Sequence, residues 1–506
     1  MKTEDLLNLI SDADPESVKE AGEYDIRTDK PEITHKPNRR MKWILPAVCV
    51  ASAALAVIAV LLFRSGRTTV NDNGIQNTET TGVTTEISPH ATKAEVIRVE
   101  ASYPASVGKE LSLQEFMDSG AQQEWWNEKL ASIDTDSRLE SSINSYYSTI
   151  MQKLLTGTDE NTVCSPLNTY VAFAMLAEIT SGESRNQVLK MLNISDMETL
   201  RKNVKNLWET NYADTPAAQS LLANSVWLTN TIKYNDNTLK TLAEQYYASS
   251  FCGVPGSTEF DEALQKWTDD NTGNLLSDYS KEMTIPEEMV MQLVSTIYFK
   301  AQWTEPFESE KTSESVFHGT KKETTVNMMH KEKNTFAYVT NNFTQVTLGL
   351  TNGGAMHFYL PQPGVDVNTL VSDPDVLKAA RWNENDENFL YSEIKMSIPK
   401  FKISGTQDLS GTMKELGVTD VFDHTVSDFT PITDELNELF LSKADHAALV
   451  EIDEQGVTGT AYTAITVEME SLPKETIDFN LDRPFMFMIT GPDGSVLFSG
   501  IVRNIE

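Results

Sequence analysis

One stretch constrains the fold more than any other. The run from Val457 to Glu470 is patterned as a sheet strand but bracketed as a loop. Every second residue from Val457 (Val457, Gly459, Ala461, Thr463, Ile465, Val467) is small, apolar or threonine. The alternate row (Thr458, Thr460, Tyr462, Ala464, Thr466, Glu468) is more polar. That is the two-residue period of a strand with one buried face. Gly456 precedes the run and Pro473 follows it, and both residue types punctuate loops. A segment that satisfies both patterns is a switch, able to stand as a loop or as an inserted strand.

Length and charge set the outer limits. At 506 residues the chain suggests about three domains of ~150 residues. Hydrophobic residues make up 40% of it, enough to fold most of it around a core. With 74 acidic against 41 basic residues, the net charge is −33. Phosphate backbones repel such a chain, so nucleic acid is not an expected partner. Cys49 falls in an apolar segment, and Cys164 and Cys252 read as buried thiols, with a disulfide between those two left open. There is no CxxC pair, HExxH, Gly-x-Ser-x-Gly elbow, P-loop or GxGxxG. No catalytic residue, cofactor or metal is therefore expected, and the chain does not read as an enzyme.

The chain divides by composition. Residues 43–63 carry no charge, and 21 apolar or small residues suffice to cross ~30 Å of hydrocarbon at 1.5 Å per residue. About 40 residues precede the run, which exceeds a signal-peptide core, so it reads as an uncleaved anchor. Lys36, Arg39, Arg40 and Lys42 lie before it and Arg64 and Arg67 after it, which places the amino terminus in the cytoplasm and the rest outside. The expected domains are a cytoplasmic tail (1–42), a transmembrane helix (43–63), a flexible stalk (64–107), a helical lead-in (108–137) and a main domain (138–506). The lead-in carries Leu111, Phe116, Trp125, Trp126 and Leu130, which suit packing on the main domain or on the membrane surface.

In the main domain Ser165-Pro166 is a helix start: the serine takes a free amide and the proline takes the first turn. The helix is apolar on most sides through Leu167, Val171, Phe173, Met175, Leu176 and Ile179, as a core helix would be, and Gly182 ends it. A second helix is expected from Ser184 to about Asn193. Strand-like runs follow at 222–229, 291–300, 335–349, 355–361, 393–404, 447–453 and 484–502. Core helices with long strands of this kind indicate an α+β fold.

Glu454-Gln-Gly456, followed by small residues, resembles the hinge of the reactive-centre loop of serpins. Phe479-Asn-Leu-Asp-Arg-Pro-Phe485 resembles the signature that follows that loop. Further matches come in family order: Asn161 to Asn168, Ser295 to Trp303 with Pro306-Phe307, Val326-Asn-Met-Met329, Pro399-Lys400-Phe-Lys-Ile, Leu416-Gly417-Val, Leu441-Ser-Lys443 and Phe498-Ser-Gly500. The resemblance covers roughly residues 138–506. It implies one domain of three β-sheets and about nine helices, overriding the three domains that length suggests, with an exposed reactive-centre loop. It also implies a suicide-substrate inhibitor of serine proteases. A protease attacks one bond of the loop and forms an acyl-enzyme. The freed loop then inserts as a strand into the central sheet and carries the protease to the far pole. The partner is a serine protease, and the chain is expected as a monomer.

Site residues follow by position. The hinge is Glu454, Gly456, Val457, Thr458, Gly459, Thr460 and Ala461, whose inward row is free of charge. The family spacing puts the reactive bond at Glu470–Ser471, and a register one shorter puts it at Met469–Glu470. The first suits glutamate-specific proteases, the second elastase-like or subtilisin-like ones. Ser165, Asn168, Ser295 and His446 match the family's shutter, a polar cluster under the central sheet. The family often has Asn where this chain has Ser295, which implies a weaker or rewired network. Trp303, Lys400 and Glu454 match the breach, the top of the sheet where insertion begins. Two alternatives remain: a serpin-fold carrier or chaperone without inhibition, and a surface-anchored binding protein. Bulky or charged inward residues in the hinge would favour the carrier, and this hinge lacks them.

Overall fold

The computed structural model describes residues 97–133, 137–274, 277–435, 439–441, 444–457 and 475–506. The cytoplasmic tail, the membrane helix and the reactive-bond positions expected from the sequence all lie outside the described residues. No helix among the described residues is long and apolar enough to cross a membrane.

The central sheet is built from β1 (Ile97–Val99), β2 (Ala218–Thr229), β3 (Ala248–Gly253), β4 (Met291–Gln302), β5 (Phe401–Asp408), β6 (Asp445–Ile452) and β7 (Gly456–Val457). Their order across the sheet is β1-β3-β2-β4-β7-β6-β5, and the short strand Ala213–Asp214 pairs with β2. Only β2 and β3 run parallel in this path. β4 shows why such a strand is buried on both faces. Ile297, Phe299 and Ala301 join the main core, where Phe299 meets Phe498 of the second sheet at 6.1 Å. Val294, on the other row, joins a smaller core with Phe260, Leu264 and Trp267 of helix Thr258–Asn271. Beneath the sheet runs α1 (Pro166–Ile179), buried along almost its whole length. Its N-cap is Ser165, with Pro166 at the first turn, as expected. It ends at Ile179 rather than Gly182, because Gly182 already begins the next helix, Gly182–Met191.

The other expected sheets are joined into one of nine strands. The cause is the 17-residue strand Glu323–Val339, which pairs with Ser313–His318 near one end and Phe343–Gly349 at the other. Three single runs in the sequence are each two strands. Residues 340–342 turn the chain between Glu323–Val339 and Phe343–Gly349, and Phe485–Thr490 and Val496–Val502 form a hairpin. The run 393–404 splits at Lys400: Pro399 pairs with Met328 in the second sheet, and Phe401 pairs with Ile452 in the central one. The breaks are written in the sequence, as Asn341-Asn342, as Gly491-Pro-Asp-Gly494, and as the shift of the apolar row from Ile394, Met396 and Ile398 to Phe401 and Ile403 across Pro399-Lys400. The disulfide left open does not form: Cys164 and Cys252 are free thiols in different sheets.

The structure also differs from sequence expectation before residue 138. Residues 97–107, assigned to a stalk, belong to the folded body. Ile97 and Val99 pair with Phe251 and Ser250 on the edge of β3, Ala101 N–H donates to Ser249 Oγ (3.1 Å), and Val107 N–H donates to Asp214 O (3.0 Å). Three strand residues among polar neighbours give too short a pattern to read, and the pairing is tertiary. The lead-in packs on the domain. Helix Ala121–Ser132 sets Trp126 against Gly353, and its Lys129 Nζ donates to Glu209 O and Tyr212 O at the end of helix Met197–Asn211.

Candidate functional site

β6 ends at Ile452, and the chain reverses through Asp453, Glu454 and Gln455. Asp453 makes the turn. Its Oδ1 accepts from the amides of Gln455 (2.8 Å) and Gly456 (3.2 Å), and its own N–H donates to Gly456 O (3.0 Å). An aspartate that bonds the backbone two residues on is a turn former. The reversal delivers β7 between β4 and β6, with Gly456 opposite Gln302 and Val457 opposite both Ala301 and Ile452. Among the described residues no ladder joins β4 directly to β6, so β7 is their link. Gly456 is required by close approach. A Cβ there would collide with the Ala301 carbonyl oxygen and lie 2.7 Å from Gln302 Cα, and backbone atoms cannot rotate away.

The same turn is fastened at the top of the sheet. Trp303 is fully buried; its backbone N–H donates to Gln455 O (2.9 Å) and its indole N–H to Asp453 O (2.9 Å). Phe307 N–H donates to Glu454 O (2.8 Å). The Glu454 carboxylate accepts from Lys400 Nζ (2.8 Å) and from Thr312 Oγ1 (2.9 Å). Lys400 can reach it because it is the residue at which the chain crosses between sheets. Burial raises the Glu454 pKa, but the bonds from Lys400 and Thr312 outweigh it and hold the carboxyl below its usual range.

A second polar group lies under the sheet. His446 Nε2 accepts the Ser165 N–H (2.9 Å), and Ser165 Oγ accepts the Asn168 N–H (3.3 Å) as the N-cap of α1. Burial lowers the His446 pKa to about 4. The ring is therefore neutral, and because Nε2 accepts, its hydrogen is on Nδ1. Ser295 Oγ stands 2.5 Å from Asn168 Oδ1 and 2.6 Å from Asn224 Oδ1. A hydroxyl has one hydrogen to give. Asn224 is fixed by its own donation to Tyr246 O (2.8 Å), so Ser295 donates to Asn224 and Asn168 turns its amide NH2 toward Ser295. With Oδ1 facing Ser295 instead, the buried Asn168 NH2 has no hydrogen-bond partner. Asn168, Ser295 and His446 also line a pocket of about 30 Å³, together with Phe173, Leu293 and Ala444.

The structure thus gathers Trp303, Lys400, Glu454, Gly456 and Val457 at one corner, and Ser165, Asn168, Ser295 and His446 in one cluster. Thr458, Gly459, Thr460, Ala461, Met469, Glu470 and Ser471 lie outside the described residues. Sequence reasoning passed over Asn224, Thr312 and Asp453. Asn224 had a readable signal, since an asparagine inside the apolar run 221–228 needs a buried partner. Thr312 had none, being 142 positions from the carboxylate it serves.

A family model described as Serpin (serine protease inhibitor) matches residues 141–505. Serpin B11 of Mus musculus is 28% identical over 362 residues, spanning 67% of this chain and 92% of that protein. A leukocyte elastase inhibitor of Xenopus laevis is 29% identical over 354 residues, with the same shares covered. Among solved structures, the native state of tengpin, a thermophilic serpin, matches with a TM-score of 0.65 at 22% identity, covering 74% of this chain and 95% of that one. Thyroxine-binding globulin in complex with thyroxine matches with a TM-score of 0.62 at 23% identity, covering 72% and 99%. A family model that spans most of the chain, arriving at the same hinge, places it: this chain is a member of the serpin family.

Proposed function

We propose that the chain is a suicide-substrate inhibitor of extracellular serine proteases, held at a cell surface by residues 43–63. The observation that carries this reading is β7, which already lies in the central sheet as the first two residues of a strand that the following sequence is patterned to continue. A target protease attacks the carbonyl carbon of Glu470, or of Met469 in the shorter register. The peptide bond to the next residue breaks, an ester to the protease serine forms, and the released amine takes the proton. The freed amino side of the loop then extends β7 downward. It gains ladder bonds on both sides and buries an inward row without charge, which a buried unpaired charge would oppose by several kcal/mol. The naming of relatives as elastase inhibitors supports a serine protease as the partner. The Glu454–Lys400–Thr312 and Trp303 contacts serve as the latch at the point of entry, and the Ser165–His446 cluster as the support beneath it.

The full-length chain in detergent, mixed with elastase-like, subtilisin-like and glutamate-specific proteases, tests the reading on denaturing gels. A covalent complex that survives denaturation is expected. The released peptide should begin at Ser471, or at Glu470 in the shorter register. Clean cleavage without a complex by every protease would move the assignment to the carrier or chaperone reading.

A further inference from the structure

A patch of aromatic rings stands in water beside the point where the chain re-enters the second sheet. In strand Phe389–Pro399 one row, Ile394, Met396 and Ile398, is buried in the core. The other row, Phe389, Tyr391 and Glu393, therefore lies on the opposite face. On the neighbouring strand Phe336 stands opposite Tyr391, with the two rings 5.1 Å apart. Trp382 lies against this row, its ring 4.2 Å from that of Phe336 and 4.8 Å from that of Phe389. These neighbours do not cover it, and Trp382 remains 46% exposed. Phe336, Phe389 and Tyr391 are only partly buried. Exposed tryptophan and tyrosine held on a rigid sheet are the residues from which interface hot spots are made.

The course of the chain says what can reach this patch. Strand Thr476–Asn480 runs parallel to Phe389–Pro399, with Thr476 beside Glu393. Glu393 N–H donates to Glu475 O (3.0 Å), and the Glu393 carboxylate accepts from Thr476 Oγ1 (2.9 Å). Parallel strands share a direction, so the chain comes to Glu475 from the end at which Tyr391 and Phe389 stand. Tyr391 is two residues from Glu393 on the same row, ~7 Å away. Glu475 is five residues past Glu470 and six past Met469. A chain covers at most about 3.5 Å per residue, so either expected reactive bond lies within ~20 Å of Glu475. A protease domain of ~200 residues is about 40 Å across, so one seated on either bond has the patch within its reach. Charge narrows the partner further. Glu384 and Glu387 are exposed beside Trp382, and Glu393 follows Tyr391 on the row, ahead of the cation Lys395. That excess of carboxylates attracts a basic surface and repels anionic lipid headgroups.

Resting on the inhibitor reading above, we propose that the Trp382–Phe336–Tyr391 patch is a second docking surface for the target protease. It fits a protease that carries, beside its active site, an apolar side chain ringed by lysine or arginine. The loop then offers the bond to be attacked, and the patch selects which protease is captured fast.

The test measures how fast the full-length chain in detergent forms covalent complex with the protease that it traps fastest. Trp382→Ala is compared with wild type and with a double variant, Glu384→Lys with Glu387→Lys. The double variant changes exposed side chains alone, so it keeps the test open if Trp382→Ala loosens the fold, which the thermal midpoint reports. Trp382→Ala is expected to slow capture about tenfold, a hot-spot loss, with the number of chains consumed per protease trapped unchanged. The double variant should also slow capture, and the rate of wild type, unlike that of the double variant, should fall as salt is raised. A patch that only supports the sheet would lower the midpoint and leave the rate. Equal rates in wild type and both variants would overturn the docking surface and leave the inhibitor reading standing; light scattering and vesicle binding would then show whether a second copy or a bilayer takes the patch. Slow capture by Trp382→Ala beside an unchanged double variant would overturn the basic partner. No covalent complex from wild type with any protease would overturn both readings.

Discussion

The latch at Glu454 is asymmetric, and the asymmetry is measurable. The Glu454 side chain is 12% exposed and that of Lys400 is 37% exposed. Changing Lys400→Met leaves a nearly buried carboxylate with Thr312 as its remaining side-chain partner. Losing one member of a fully buried pair costs ~3–5 kcal/mol, so with one hydrogen bond kept and some solvent access the cost is about 2–3 kcal/mol. Changing Glu454→Gln leaves an ammonium that rehydrates, and the amide oxygen still accepts. That change costs about 0.5–1 kcal/mol, as for a partly exposed pair. The difference is about 2 kcal/mol, read as a shift in the urea midpoint of the uncut protein at pH 7.5. The gap between wild type and Lys400→Met must also depend on pH. The folded pKa of Glu454 is depressed. The stabilisation is therefore present above the ordinary carboxylate pKa, near ~4.4, and is lost as pH falls through the folded value. Lys400→Met should approach wild type as Glu454 protonates. Equal losses in the two variants at pH 7.5, or a gap that does not move on acidification, would refute the argument.

Other outcomes follow from the same geometry. Gly456→Val puts side-chain atoms against the backbone of β4, so the variant should be cleaved normally but form far less covalent complex; undiminished complex would show that the hinge does not use this slot. His446 and His357 are held neutral by burial, with pKa values lowered to about 4 and about 3. The unfolded chain binds those protons first as pH falls below ~6.5, so stability drops by about 2 kcal/mol per histidine between pH 7.5 and 5. A urea midpoint independent of pH over that window would contradict it. Gly353 has φ +77° and a Cβ there would enter the ring of Trp126. Gly353→Ala should therefore cost about 1 kcal/mol in backbone strain and displace the lead-in helix. The expected sign is faster proteolytic cutting within residues 113–132, and an unchanged digestion pattern would count against it.

Sequence carried the start of the core helix well, because it is written locally. Ser165-Pro166 is a start signal whatever surrounds it. Sequence failed where geometry depends on distant pairing. At Pro399-Lys400 the apolar row shifts phase, from Ile394, Met396 and Ile398 to Phe401 and Ile403, and the chain changes sheets there, but periodicity does not report the partner of each half. Ser295, where the family often has asparagine, implied a weaker or rewired network. In the structure Ser295 meets Asn224, contributed by β2, a partner visible only once β2 and β4 are neighbours.

β1 has a practical consequence for anyone who handles this protein. The family match begins at residue 141, but the sheet begins at Ile97. A recombinant fragment cut to the matched boundaries would strip β1 from β3 and leave the amides and carbonyls around Phe251 without their neighbour. An open sheet edge is a template for pairing between molecules. Three residues are enough to blunt it, so an expression boundary placed after Val99 risks precipitates, and one placed ahead of Ile97 keeps the edge covered.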